Sequence, residues 1–112
     1  MKLTQEKFRM INDRLTRCLQ LSKLNLSFNQ LTNKSIPLLL SLMEPIKLEE
    51  LSLKWNQISD DGALPLFTHL RVNKTLLHLD LSYNSLSSQK TSFGEAMREF
   101  LVENKTLLHL NL

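Results

Sequence analysis

The chain has 112 residues, 42% hydrophobic and 22% charged, with a formal net charge of +3. That length suits one compact unit, and the lack of any run of about 18 apolar residues excludes a membrane-spanning helix. The single cysteine, Cys18, excludes an internal disulfide. With a mixed polar and charged start that lacks a secretory pattern, it points to a cytoplasmic, intracellular location.

The charge is uneven. Residues 1–23 hold Lys2, Lys7, Arg9, Arg14, Arg17 and Lys23 against Glu6 and Asp13, a balance of +4, which leaves −1 for the rest. Such a cluster reads as a solvated helix face. No aromatic side chains interleave it as a single-strand binder would need, so nucleic acid is not an expected partner, and neither is a membrane.

Thr4 to Cys18 reads as an amphipathic helix, with Phe8, Ile11, Leu15 and Cys18/Leu19 at helical spacing. Thr4 fits an N-cap, and Leu3 and Phe8 sit where a hydrophobic staple would be. Residues 1–18 are therefore taken as an N-terminal helix, either a cap on the core or the helix of a preceding repeat. Cys18, on its apolar side, is expected to be a small buried hydrophobe.

Residues 19–112 carry a repeat, L-x-x-L-x-L-x-x-N-x-L. Its first copy is Leu21, Leu24, Leu26, Asn29 and Leu31; its second is Leu48, Leu51, Leu53, Asn56 and Ile58. The third is Leu76, Leu79, Leu81, Asn84 and Leu86, and a fourth begins at Leu107, Leu110 and Leu112. Three full units and a truncated fourth are thus expected. The period of about 28 leaves room for a strand and a full helix in each unit. The helices are expected near Ser35–Met43, with Leu39 and Met43 inward, and from Gly62, with Leu66 and Leu70 inward. The third is expected near Ser92–Val102, with Phe93, Met97 and Leu101 inward. Pro37 and Pro65 are read as first-turn residues, Pro45 as a helix stop, and Ser85–Thr91 as a longer polar loop. Asp60 and Asp61 suit a helix N-terminus.

The repeating leucines point to one face of each short strand and form a shared core. Asn29, Asn56 and Asn84 follow the strands, where their amides can satisfy turn backbone as a ladder between units. The residues between the leucines face outward and, on neighbouring strands, fall into rows. One row is Lys23, Glu50, His78 and His109; the next is Asn25, Ser52, Asp80 and Asn111; Ser27, Lys54 and Ser82 follow. The slot before each ladder asparagine is aromatic: Phe28, Trp55 and Tyr83. These rings can stack on each other or form a stripe that anchors a partner. The residues expected to bind a partner are Lys23, Asn25, Phe28, Glu50, Ser52, Lys54, Trp55, His78, Asp80, Tyr83 and His109.

No catalytic set emerges. There is no glycine-rich phosphate loop, since Gly62 and Gly94 are the only glycines, and no paired carboxylates share a pocket. His78, His109 and Asp80 on an open sheet read as surface residues rather than metal ligands. No enzyme, metal or cofactor is expected. Asn25, Asn33, Asn73 and Asn104 begin glycosylation sequons, and repetition accounts for Asn73 and Asn104.

The units resemble the ribonuclease-inhibitor-like class of leucine-rich repeats, best in the stretch from Asn73 through Thr75, Leu76, His78 and Leu79 to Asn84. Gly62, six residues after Asn56, matches the family's glycine, whereas Ser35 and Lys90 stand in that slot in the other units. The resemblance covers residues 19–112. It implies an α/β solenoid, a short right-handed arc with parallel strands on the concave face and helices on the convex face. Members such as ribonuclease inhibitors, NOD-like receptor sensor domains, tropomodulin-type actin caps and activators of Ran bind other proteins. The run from Asn73 to Leu79 is also similar to intracellular repeat proteins of cilia and testis. The resemblance implies a scaffold for protein–protein interaction that uses its concave face. The alternative is a structural element of a longer solenoid in a cytoskeletal or ciliary assembly, with end-to-end association through the open fourth repeat.

Overall fold

The computed structural model describes residues 5–15, 17–87 and 91–112. In chain order the elements are α1 (Gln5–Leu15), β1 (Lys23–Asn25), a 3-10 turn (Asn33–Ser35), α2 (Ile36–Met43) and β2 (Glu50–Ser52). These are followed by α3 (Asp60–Leu70), β3 (His78–Asp80), α4 (Thr91–Glu103) and β4 (His109–Asn111). The strands form one parallel sheet in the order β1-β2-β3-β4. Each crossover from one strand to the next passes through a helix, as parallel neighbours require.

The sheet is only three residues wide, yet it fixes every side chain. Leu24, Leu51, Leu79 and Leu110 are direct partners across the strands. With Leu26, Leu53 and Leu81 they make the sheet wall of the core, and the last three are nearly or fully buried. The opposite wall is helical: Ile36, Leu39, Leu42 and Met43 from α2, and Ala63, Leu66, Phe67 and Leu70 from α3. In α4 it is Phe93, Ala96 and Phe100. Phe67 meets Phe93 and Phe100 edge-on, with centroids 6.0 and 5.0 Å apart, which locks α3 to α4. On the outside of the same helix pair Arg71 joins Glu99 (2.8 Å) and Glu103 (3.4 Å).

Phe8 of α1 has no exposed surface and belongs to the same core, beside Leu26, Leu31 and Ile36 of the first unit. The rest of the expected N-terminal stripe is different. The helix stops at Leu15, because the chain then turns through backbone bonds from Arg17 N–H to Arg14, Cys18 N–H to Leu15 and Leu21 N–H to Cys18. Beyond that point helical spacing no longer assigns a face, so Cys18 and Leu19 are exposed rather than buried, and Ile11 is also at the surface. The expected N-cap Thr4, the staple residue Leu3 and Lys90 lie outside the described residues.

Three further expectations are corrected. The second helix begins at Asp60 rather than Gly62, so Pro65 lies inside α3, not in its first turn. Thr91 opens α4 instead of closing a loop. In α4, Leu101 is exposed and Phe100 takes the inward place, since the inward set runs 93, 96, 97, 100 at i, i+3, i+4, i+7.

Gly62 has a steric reason. A Cβ there would stand 2.3 Å from Asn33 Oδ1 and 3.1 Å from the Asn33 Cα. That asparagine accepts from Ser59 N–H (2.9 Å) and donates to Ser59 Oγ (2.7 Å), tying the first unit to the second. The matching position in the first unit holds Ser35, which is buried.

Candidate functional site

The outward rows form as the register dictates. Lys23 partners Glu50, Glu50 partners His78, and His78 partners His109. Asn25, Ser52, Asp80 and Asn111 make the next row. Together these residues line an open groove of about 690 Å³ across the sheet, so the sheet face is the concave one. Lys23 and Glu50 form an exposed ion pair at 3.6 Å. His78 and His109 stack with centroids 4.7 Å apart and planes 7° from parallel. Among the described residues no group of three or more His, Cys, Asp or Glu comes together as a metal site would need.

Asn25 and Asp80 have local work that their spacing to a serine could have revealed. Asn25 Oδ1 accepts from the Ser27 N–H (3.0 Å) and the Ser27 hydroxyl. Asp80 Oδ1 does the same for Ser82, and Ser82 is buried rather than displayed on the groove. Each is a turn in which a short polar side chain holds the backbone two residues on. Two further sequons, Asn73 and Asn104, are structural in the same way. Asn73 Oδ1 accepts from Thr75 and Leu76 N–H, and Asn104 Oδ1 from Thr106 and Leu107 N–H. Asn104 also donates to Leu70 and Asn73 carbonyls, a second asparagine connection between units at the helix-to-strand turn.

The asparagine ladder after the strands forms as expected. Asn56 Nδ2 donates to the Leu26 and Leu53 carbonyls, and its Oδ1 accepts from Leu31 N–H. Asn84 repeats this one unit on, with the Leu53 and Leu81 carbonyls and Ile58 N–H. Asp60, read from sequence only as a helix-dipole residue, repeats one unit on the tie between Asn33 and Ser59: it is buried, and its carboxylate accepts from Ser87 N–H and Oγ.

One residue before each ladder asparagine the chain turns sharply, and there the backbone is left-handed. Phe28 has φ 59°, Trp55 φ 56° and Tyr83 φ 57°. Only glycine takes this conformation freely, and other residues pay about 1–2 kcal/mol. The three rings stack along the rim of the sheet. Phe28 and Trp55 are 5.9 Å apart at 17°, Trp55 and Tyr83 4.3 Å apart at 2°. Lys54 Nζ lies 5.4 Å from the Tyr83 centroid. All three rings remain about half exposed, at 59%, 47% and 61%. Each stack contributes about 0.5–1.5 kcal/mol, so two stacks offset only part of the strain at three positions.

Two family models match the chain. One described as Leucine Rich repeat matches residues 45–67 and 72–89. Another, described as Leucine Rich Repeat, matches residues 20–42. No curated protein gives a significant match.

Proposed function

We propose that this chain, which belongs to the leucine-rich repeat family, binds a partner protein through its concave groove and the aromatic ridge beside it, without catalysis. Leucine-rich repeat domains generally mediate protein–protein interaction. The observation that carries the reading is the ridge. Three large aromatic residues occupy left-handed turns where glycine or asparagine would be unstrained, and they are left half exposed. Strain held in exposed side chains fits a binding surface, and Trp and Tyr dominate interface energetics. Lys23, Glu50, His78, His109 and Ser52 supply the varied polar contacts in the groove, while Asn25 and Asp80 serve it mainly by fixing the turns that lead to the ridge. A period near 28 with a full α-helix in most units supports the ribonuclease-inhibitor-like class. An exposed, single cysteine supports a reducing, intracellular setting.

The test is a pull-down titration from the native cell with wild type and Trp55→Ala. A partner whose affinity falls about tenfold or more, while the variant keeps its cooperative melt, supports the reading. Equal affinity for both overturns it.

A second reading has its own observation. β4 lies at an edge of the sheet, and Leu108 and Leu112, which flank it in sequence, are exposed. Such an edge accepts another repeat, as in a longer solenoid of a cytoskeletal or ciliary assembly. Light scattering separates the two: a soluble monomer argues against stacking through β4, and a concentration-dependent rise in mass supports it.

A further inference from the structure

We infer that the aromatic ridge receives an acidic, amphipathic α-helix of the partner, laid across the strands so that one turn meets each rung. The inference rests on the partner-binding reading above and adds the chemistry and shape of what binds.

The chemistry follows from how the rings are turned. Phe28, Trp55 and Tyr83 press their faces against each other, with the closest pair 4.3 Å apart and nearly parallel. Trp55, stacked on both faces, presents its edge to a visitor, while Phe28 and Tyr83 are stacked on one face each. A ring edge is the positive side of the aromatic quadrupole and attracts acceptors; it also suits a methionine sulfur. The polar groups on the ridge are donors as well. No hydrogen bond among the described residues occupies the Trp55 indole N–H or the Tyr83 hydroxyl. Lys54 adds an ammonium group beside Tyr83. Of the acidic groups nearby, Glu50 is paired with Lys23, and Asp80 directs its Oδ1 to Ser82. A ridge of positive edges and free donors calls for carboxylates interspersed with Leu or Met.

The shape follows from the step between rungs. The rungs are 5.9 and 4.3 Å apart. One turn of an α-helix rises about 5.4 Å, between those two values. In an extended peptide the residues of one face recur about every 6.8 Å, longer than both steps, so it falls out of register along the ridge. A helix with Glu or Asp and Leu or Met at i, i+3/i+4 and i+7 stays in register over all three.

The experiment uses the whole chain and three fluorescein-labelled synthetic peptides of about 18 residues. One is a stapled helix with a Glu/Leu stripe, the second carries Lys for each Glu, and the third has the Glu/Leu sequence broken by proline. Anisotropy titrations at physiological salt read the affinities. Emission of Trp55, the one tryptophan in the chain, reports whether the ridge is the contact. The acidic helix is expected to bind about tenfold or more tighter than either other peptide and to shift the Trp55 emission. Lys54→Glu, a surface change that should leave the melt intact, is expected to reverse the order of the acidic and basic helices. Trp55→Ala should remove the preference for the acidic one. Equal binding of the three peptides, no binding of the acidic helix, or an order unchanged by Lys54→Glu overturns the inference. A cellular partner that depends on Trp55 but docks a basic or non-helical segment, as read by hydrogen exchange, overturns this inference and leaves the partner-binding reading standing. A partner indifferent to Trp55→Ala overturns both.

Discussion

Two ladders run side by side through this protein, one residue apart in sequence and opposite in design. Asn56 is 8% exposed and bonded to the unit before it as well as to its own. Trp55, its chain neighbour, is 47% exposed; its backbone N–H donates to the Ser82 carbonyl of the next unit, while its side chain meets the adjacent units by stacking. The asparagine satisfies the Leu31 N–H and shares the Leu26 and Leu53 carbonyls with Asn29 and Asn84, so its position is dictated by the fold. The aromatic side chain makes no polar bond among the described residues and sits on a backbone conformation that disfavours it. Where a residue is both strained and exposed in a repeating scaffold, the scaffold is not what requires it. The left-handed turn needs some residue there; it does not need an indole.

The sharpest way to break the comparison is Asn56→Ala. It leaves the Leu31 N–H without its partner, at about 1–3 kcal/mol, and takes one donor each from the Leu26 and Leu53 carbonyls, which keep Asn29 and Asn84. We expect roughly 2–3 kcal/mol to be lost, read as a lower urea midpoint. An unchanged midpoint would show that water replaces the amide and that the ladder is not what holds the units. Next is Gly62→Ala, whose new methyl group meets the Asn33 carboxamide that ties two units together. A cost of about 1–3 kcal/mol is expected. The double variant Asn33→Ala/Gly62→Ala should lose less than the sum of the singles, because the clash is gone; strict additivity would place the cost elsewhere.

The aromatic ladder should respond differently. Trp55→Ala is expected to cost about 1–3 kcal/mol of stability through its two stacks and to weaken partner affinity about tenfold or more. Tyr83→Gly should melt higher than Tyr83→Ala by about 1 kcal/mol, since glycine relieves the left-handed turn and both lose the same stack. The reverse order would mean that the turn is not strained and that the ridge carries no backbone cost. The smallest effect is expected from Lys23→Ala. Its ion pair with Glu50 is exposed on both sides, and stability should change by under about 0.5 kcal/mol in a thermal melt.

Much of the architecture is legible in the residues. The leucine spacing gives the strands, their order and their inward face, and the recurring asparagine gives the ladder, because these depend on a period that any copy of the unit must keep. Less legible are the places where a helix ends or a side chain answers a neighbour that is distant in sequence. Cys18 looks inward if α1 is continued past Leu15, and only the turn into β1 exposes it. Asp60 reads as a helix-dipole residue, and only the fold brings Ser87 to its carboxylate. The Asn25–Ser27 and Asp80–Ser82 turns were within reach, since the two-residue spacing from a short polar side chain to a serine marks them.

The sequence alone thus determines the solenoid, the outward rows and the identity of the aromatic slot, because each follows from periodicity and strand alternation. The tertiary structure decides what that slot is. Parallel strands stack the three turns in register, and each turn forces its aromatic residue into a left-handed backbone. Together these convert three separate rings into one continuous, half-exposed ridge. Neither the backbone strain nor the parallel stacking is encoded in any single repeat; both arise when the units are placed side by side.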